Sequence, residues 1–276
     1  MVEKVGFIGL GDIGLPMAKC LVAKGYEVTV CGHVRREPIE EMKRAGARAV
    51  DTPKEVALAS EVTITMVIDD AQSEDVILKP GGVMEGSREG SGIILMSTLS
   101  PAFCRRVGQV GKARGVGALD APVSGTRVRA ATGDLTLMVG GEKDLVEKYR
   151  AVLETMGRIT YCGDLGAGEI VKLVNNMNLL IGMNGLVEAL RWGIKNGGNE
   201  DMLIETLKTG TGNSWVVEHW KDYVRANITA PTRPMIRDLG LKDLKLALDI
   251  ADEMKMPLPL AAVACQMGKL QFPDLA

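Results

Sequence analysis

The apolar positions change period along the chain. In the first half, short unbroken apolar runs alternate with segments whose apolar residues recur every three or four positions. Val5, Phe7 and Ile8 form a first run that ends at Gly9, and residues 27–31, 62–68 and 92–96 form later ones rich in β-branched side chains. Runs without alternation predict strands buried on both faces of a parallel sheet. Between them, residues 15–24 (through Met17, Ala18, Leu21 and Val22) and 38–45 carry helical spacing, with Gly25 and Gly46 as stops. Strand and helix in alternation predict parallel strands covered by helices on both sides.

After about residue 163 the strand signal ends. Residues 166–196 read as one long helix, apolar nearly all round through Ile170, Val171, Leu173, Val174, Met177, Leu179, Leu180 and Ile181. Such a helix is expected to be buried. Residues 202–208, 241–254 and 258–268 also carry helical spacing. The expected architecture is an α/β domain over residues 1–163 and an all-α C-terminal domain over residues 164–276, joined by the long helix.

Gly9-Leu10-Gly11-Asp12-Ile13-Gly14 matches G-x-G-x-x-G. Alone, the pattern is as readily an ordinary strand–helix turn. Here an apolar strand precedes it and an amphipathic helix follows, which is the setting of a dinucleotide-binding loop. Gly9 permits the tight turn, Gly11 lets a pyrophosphate reach the backbone, and Gly14 lets helix and strand pack closely. The helix N-terminus adds free N–H groups and a partial positive charge. After the second run the chain reads Cys31-Gly32-His33-Val34-Arg35-Arg36, with no acid before Glu37. No carboxylate stands ready for the adenosine ribose hydroxyls, and His33, Arg35 and Arg36 suit a ribose phosphate, so NADP is expected ahead of NAD. The plainer alternative is that these residues are solvated and simply open the next helix.

Composition narrows the partners. Lys plus Arg number 33 against 35 for Asp plus Glu, with no polybasic run, so nucleic acid and anionic membranes are not expected to bind. Aromatic residues, at 4%, are too few for a base-stacking platform. Five dispersed cysteines and two histidines show no metal-ligand spacing, and free thiols suit a reducing compartment. The N-terminus lacks the pattern of a signal peptide, and no stretch reaches about 18 uninterrupted apolar residues. A cytoplasmic protein without a metal is expected.

Lys172, Asn175 and Asn176 fall at i, i+3 and i+4 and share one face of the long helix. A lysine among apolar neighbours is expected to be buried, and burial lowers its pKa toward that of a general acid/base. Ser124-Gly125-Thr126 offers N–H and hydroxyl donors for a carboxylate, and from spacing alone is equally a plain turn. Lys242-Asp243 reads by spacing as a surface ion pair. Arg127, Arg129 and Arg237 read as solvated, with a second anionic group on a substrate as the alternative. Trp215 reads as a core or interface residue.

Together these motifs resemble the β-hydroxyacid dehydrogenase family, which includes 3-hydroxyisobutyrate dehydrogenase, tartronate semialdehyde reductase, and glyoxylate and succinic semialdehyde reductases. The likeness runs along nearly the whole chain. It rests on the first loop with Met17-Ala18, Ser97-Thr98-Leu99-Ser100-Pro101, Asp120 through Gly125, Gly133 through Gly140, Gly168 through Asn176, and Lys242-Asp243-Leu244. The resemblance implies a Rossmann domain joined by a long helix to a helical domain. It also implies NAD(P)-dependent hydride transfer between a small 3-hydroxy acid and its semialdehyde. Lys172 would be the general acid/base, Ser124, Gly125 and Thr126 would bind the substrate carboxylate, and Asn175 and Asn176 would orient the substrate. Thr98 and the backbone of Met66, Val67 and Ile68 would line the nicotinamide side, and Lys242 would approach the cofactor. A small anionic substrate and a homodimer or homotetramer are expected. Thr126 stands where many members carry Gly, and Gly32-His33 replaces an Asn-Arg pair. Imine reductases and non-catalytic nucleotide-binding or interaction proteins share the fold; Lys172 and Asn176 argue against both.

Overall fold

The unalternating runs become the middle of a nine-stranded sheet among the described residues. Strands β1 (Lys4–Ile8), β2 (Glu27–Cys31), β3 (Arg48–Val50), β4 (Val62–Thr65), β5 (Gly92–Leu95) and β6 (Gly117–Asp120) are parallel, in the order β3-β2-β1-β4-β5-β6. The structure is a computed structural model that describes residues 2–32, 36–226 and 234–268, the side chains of 234–238 excepted. Successive strand residues enter opposite cores. Phe7, Val30 and Ile94 join one apolar cluster, and Ile8, Cys31, Ile93 and Leu95 join another. Both sheet faces are therefore covered, which is why these runs lack polar alternation.

The covering helices are α1 (Gly14–Ala23), α2 (Glu37–Ala45), α3 (Pro53–Leu58), α4 (Asp70–Ile77), α5 (Val83–Gly86) and α6 (Pro101–Lys112), then α7 (Arg127–Ala131) and α8 (Lys143–Glu154). Three further strands depart from the all-parallel expectation: β7 (Val123–Ser124), β8 (Leu135–Gly140) and β9 (Gly157–Gly163). Strand β8 runs antiparallel to β6 and β7, and β9 runs parallel to β8. Five-residue α7 is too short to carry the chain back along the sheet, whereas twelve-residue α8 makes that crossover.

Helix α9 (Ala167–Lys195) follows, then α10 (Glu200–Thr209), α11 (Trp215–Glu218), a π-helical turn (Trp220–Val224), α12 (Pro234–Glu253) and α13 (Pro259–Met267). The chain forms two compact units, Met1–Lys172 and Leu173–Ala276. The division falls inside α9, whose first turn is bonded to Asp120 at the end of β6. The second unit has two apolar clusters, one around Leu190 and Trp220, the other around Leu244 and Ala261.

One expectation about α9 needs correction. Ile170, Val171, Val174 and Trp192 are exposed, Trp192 by 72%. An all-round apolar helix packed on one side covers only that side, so its other faces remain open. Its length and composition also meet the requirement for a membrane span, although no uninterrupted apolar run predicted one. The core helix of a globular protein meets the same requirement, and α9 carries buried Glu169, Lys172 and Asn184.

Candidate active site

The glycine loop lies at the carboxyl end of β1, beside β4, where the strand order reverses. Gly9 has φ +103°, and a Cβ on it would lie 2.2 Å from the Met66 carbonyl oxygen. A Cβ on Gly14 would lie 1.9 Å from the Gly9 carbonyl oxygen, so this turn closes only with glycine at both positions. Beside Gly11 there is open space. Helix α1 has no side-chain cap at Ile13 and no acid in its first turn. The Leu15 and Met17 N–H groups bond the Gly11 and Ile13 carbonyls and Pro16 has none, so donors for an anion come from the loop ahead of the helix, and that loop fits a dinucleotide pyrophosphate. Leu10, Asp12 and Ile13 complete the loop.

Cys31 ends β2 where a ribose-binding carboxylate would stand. Burial first, and then the charge of Glu55, push its thiol up to about 11, so it is neutral. Arg36 is exposed at the start of α2. His33 and Arg35 lie outside the described residues. On the adjoining strand ends, Met66 and Val67 are partly buried and Ile68 is exposed. Thr98 is partly buried in the loop after β5. Two carboxylates hold that loop. Glu169 Oε2 accepts from the Leu99 N–H at 3.0 Å, and Asp70 Oδ1 accepts from the Ser100 N–H at 2.9 Å. Nearby, Thr65 Oγ1 and Ser97 Oγ are buried without a hydrogen-bond partner among the described residues.

The start of α9 is built on Asp120, the last residue of β6. Its Oδ1 accepts from the Gly166 N–H at 2.6 Å and its Oδ2 from the Glu169 N–H at 2.9 Å. Asp120 is fully buried. Burial pushes its carboxyl up, and the N–H donors of Gly166 and Glu169 pull in the other direction. One turn on, Lys172 is 9% exposed, as its apolar neighbours predict.

In the second unit, Asn175 donates to Asn176 at 3.0 Å, and Asn176 donates to Asp243 Oδ2 at 2.5 Å. Lys242 Nζ stands 2.9 Å from Asp243 Oδ1. Buried Asp243 thus meets both Asn176 and Lys242, which the sequence offered in separate motifs, and Lys242 is no plain surface ion pair.

Ser124 pairs with Thr136 across β7 and β8, and Gly125 is exposed after it. Thr126 caps α7, its Oγ1 accepting from the Arg129 N–H at 3.4 Å. Arg127 is exposed, and Arg129 pairs with Asp134 at 3.4 Å. The Arg237 side chain lies outside the described residues. Trp215 is not in a core; it is exposed and stacked on His219 at 4.2 Å between centroids. Asp120, Glu169 and Asp243 were missed as site residues. Each lay inside a motif already quoted, and an acid between apolar or glycine neighbours was the available signal.

A parallel sheet with this loop at its switch point, followed by a helical unit, defines the class of NAD(P)-binding dehydrogenases. Residues 4–163 match the family model for the NAD-binding domain of 6-phosphogluconate dehydrogenase. Residues 166–271 match that for NAD-binding of NADP-dependent 3-hydroxyisobutyrate dehydrogenase. The chain belongs to the 3-hydroxyisobutyrate dehydrogenase-like β-hydroxyacid dehydrogenases, NAD(P)-dependent oxidoreductases of hydroxyacids. It is 37% identical over 266 residues to 2-(hydroxymethyl)glutarate dehydrogenase of Eubacterium barkeri, covering 96% of this chain and 87% of that one. It is 32% identical over 275 residues to the NAD-dependent L-serine dehydrogenase of Pseudomonas aeruginosa, covering 98% and 92%. Among solved structures it is similar to Mycobacterium tuberculosis 3-hydroxyisobutyrate dehydrogenase with L-serine. That match has a TM-score of 0.82 and 28% identity, covering 97% of this chain and 93% of the other.

Proposed function

We propose that this protein interconverts a small 3-hydroxy acid and its semialdehyde, with Lys172 as general acid/base and NADP preferred to NAD. The observation that carries the reading is a buried lysine on a helix start held by the buried Asp120 carboxylate, in a chain whose glycine-loop helix has no side-chain cap. 2-(Hydroxymethyl)glutarate, L-serine and 3-hydroxyisobutyrate, after which relatives are named, share a hydroxymethyl group on the carbon bearing the carboxylate. That fragment defines the substrate class proposed here.

The backbone N–H groups of the Gly9 to Gly14 loop would hold the pyrophosphate. Met66, Val67, Ile68 and Thr98 would line the nicotinamide, Lys242 would approach it, and Arg36 with His33 and Arg35 would hold the ribose phosphate. A neutral thiol at the end of β2 supports NADP, since no charge there opposes a phosphate. Ser124, Gly125 and Thr126 would hold the substrate carboxylate. The Thr126 hydroxyl accepts from α7 and still has its own hydrogen to donate. Asn175 and Asn176, tied to Asp243, would orient the hydroxyl end.

When bound, the reduced nicotinamide supplies the hydride. As the aldehyde carbon accepts it, the carbonyl pair moves onto oxygen, and the Lys172 ammonium donates a proton to that oxygen. The resulting amine recovers a proton from solvent. In oxidation, neutral Lys172 removes the hydroxyl proton. A cation next to a developing alkoxide also lowers the barrier electrostatically.

Reduced-nicotinamide absorbance tests this with NADPH and NADH. The panel is succinic, methylmalonate and tartronate semialdehydes and glyoxylate for reduction, with L-serine and 3-hydroxyisobutyrate for oxidation. Lys172→Ala is expected to lower kcat by about 10²–10⁴-fold. Arg36→Ala is expected to weaken NADPH more than NADH. Unchanged turnover in Lys172→Ala would sink the assignment.

A further inference from the structure

The mechanism uses Lys172 but not the carboxylate one turn before it. Glu169 is fully buried in the first turn of α9. Its backbone N–H is held by Asp120, and its Oε2 holds the N–H of Leu99, next to Thr98. Its Oε1 faces Cys104 Sγ of α6 at 4.0 Å. Residues at i and i+3 of a helix are neighbours, so Glu169 and Lys172 lie along one side of α9. Two buried carboxylates, Asp120 at the end of β6 and Glu169 in the first turn of α9, meet at this helix start; a buried cation is the usual complement of such charge, and Lys172 is the buried cation of this unit among the described residues.

We propose that Glu169 is a positioning residue that ties the Thr98–Leu99 loop to the helix bearing Lys172 and keeps the Lys172 amine charged. The loop, the helix and the proton donor are then held in one register by a single side chain. Other charged or titratable groups around it are Asp120 on β6, Asp70 on α4, and Cys104 and Arg105 on α6. The Cys104 thiol is pushed well above its ordinary value, by burial first and next by the charge of Glu169. It therefore stays neutral and donates a weak hydrogen bond to Glu169 Oε1, without bringing a charge to balance that carboxylate.

The inference rests on Lys172 being the proton donor, and the experiment separates the two. Reduction is followed against pH in wild type, Lys172→Ala, Glu169→Gln, Glu169→Asp and Glu169→Ala, with thermal melting to check folding. In parallel, trace acetylation with acetic anhydride, read by mass spectrometry, titrates the Lys172 amine without substrate. Glu169→Gln keeps an acceptor for the Leu99 N–H and removes only the charge. The alkaline limb of kcat/KM and the acetylation midpoint are expected to move to lower pH by about 1–2 units, the usual effect of losing an opposite charge at this range. The nucleotide KM should change little. Glu169→Asp should restore the limb and lower kcat, because the shorter side chain does not reach Leu99. Curves for Glu169→Gln that superpose on wild type, with Lys172→Ala inactive, would overturn this inference and leave the catalytic reading standing. Turnover retained in Lys172→Ala would remove the catalytic reading, and the acetylation midpoint would still decide the role of Glu169.

Discussion

At the scale of single residues, the glycine loop shows how far a pattern carries. Gly9 was legible because only glycine combines a positive φ with a backbone passing at the distance of the Met66 carbonyl. Gly9→Ala is expected to cost about 1–3 kcal/mol of stability through that strain and to weaken nucleotide binding at least about tenfold, an affinity change of 1.4 kcal/mol. Urea unfolding and NADPH fluorescence titration check both effects, and a variant matching wild type in both would contradict the loop's geometry. Lys172 was legible through its apolar company. Asp120, Glu169 and Asp243 were not, because a buried carboxylate is recognised by the N–H and amide groups that meet it. Those groups come from residues distant in sequence.

At the scale of elements, the parallel strands β1, β2, β4 and β5 were readable because burial on both faces leaves an unbroken apolar run. Strand β3 is three residues long and β9 is largely open to solvent, so neither leaves such a run. Direction in β8 was hidden because it follows from the length of the preceding connection. The edges of elements carry their own chemistry. Glu61, before β4, accepts from the N–H groups of Glu3 at 2.7 Å and Lys4 at 3.0 Å, fixing where β1 begins. Those donors hold its carboxyl below the usual range. A carboxylate with a lowered folded pKa adds stability above its unfolded value, roughly 4.3, and loses it as pH falls through the folded value. Wild type is therefore expected to lose more of its urea midpoint than Glu61→Gln between about pH 5 and pH 3, around that unfolded value. Parallel midpoint curves would refute it.

At the scale of the whole molecule, α9 leaves apolar side chains uncovered along its length, among them Val174 and Trp192. Tryptophan is enriched where one protein surface meets another, and we propose that a second copy of the chain covers these side chains. Sedimentation is expected to report a dimer or tetramer for wild type and a smaller species for Val174→Asp with Trp192→Asp. A wild type sedimenting at the mass of one chain would refute the proposal. Asp120 has a consequence of a different kind. It caps a helix from a strand end 46 residues upstream of Gly166. A cap supplied from so far away does not exist until the sheet has closed, so loop-closure entropy is met before the first turn of α9 gains its support. Lys172 thus acquires its surroundings late in folding. A chain with a misregistered sheet also lacks an organised lysine, so partly folded molecules should fail as enzymes rather than act with relaxed selectivity.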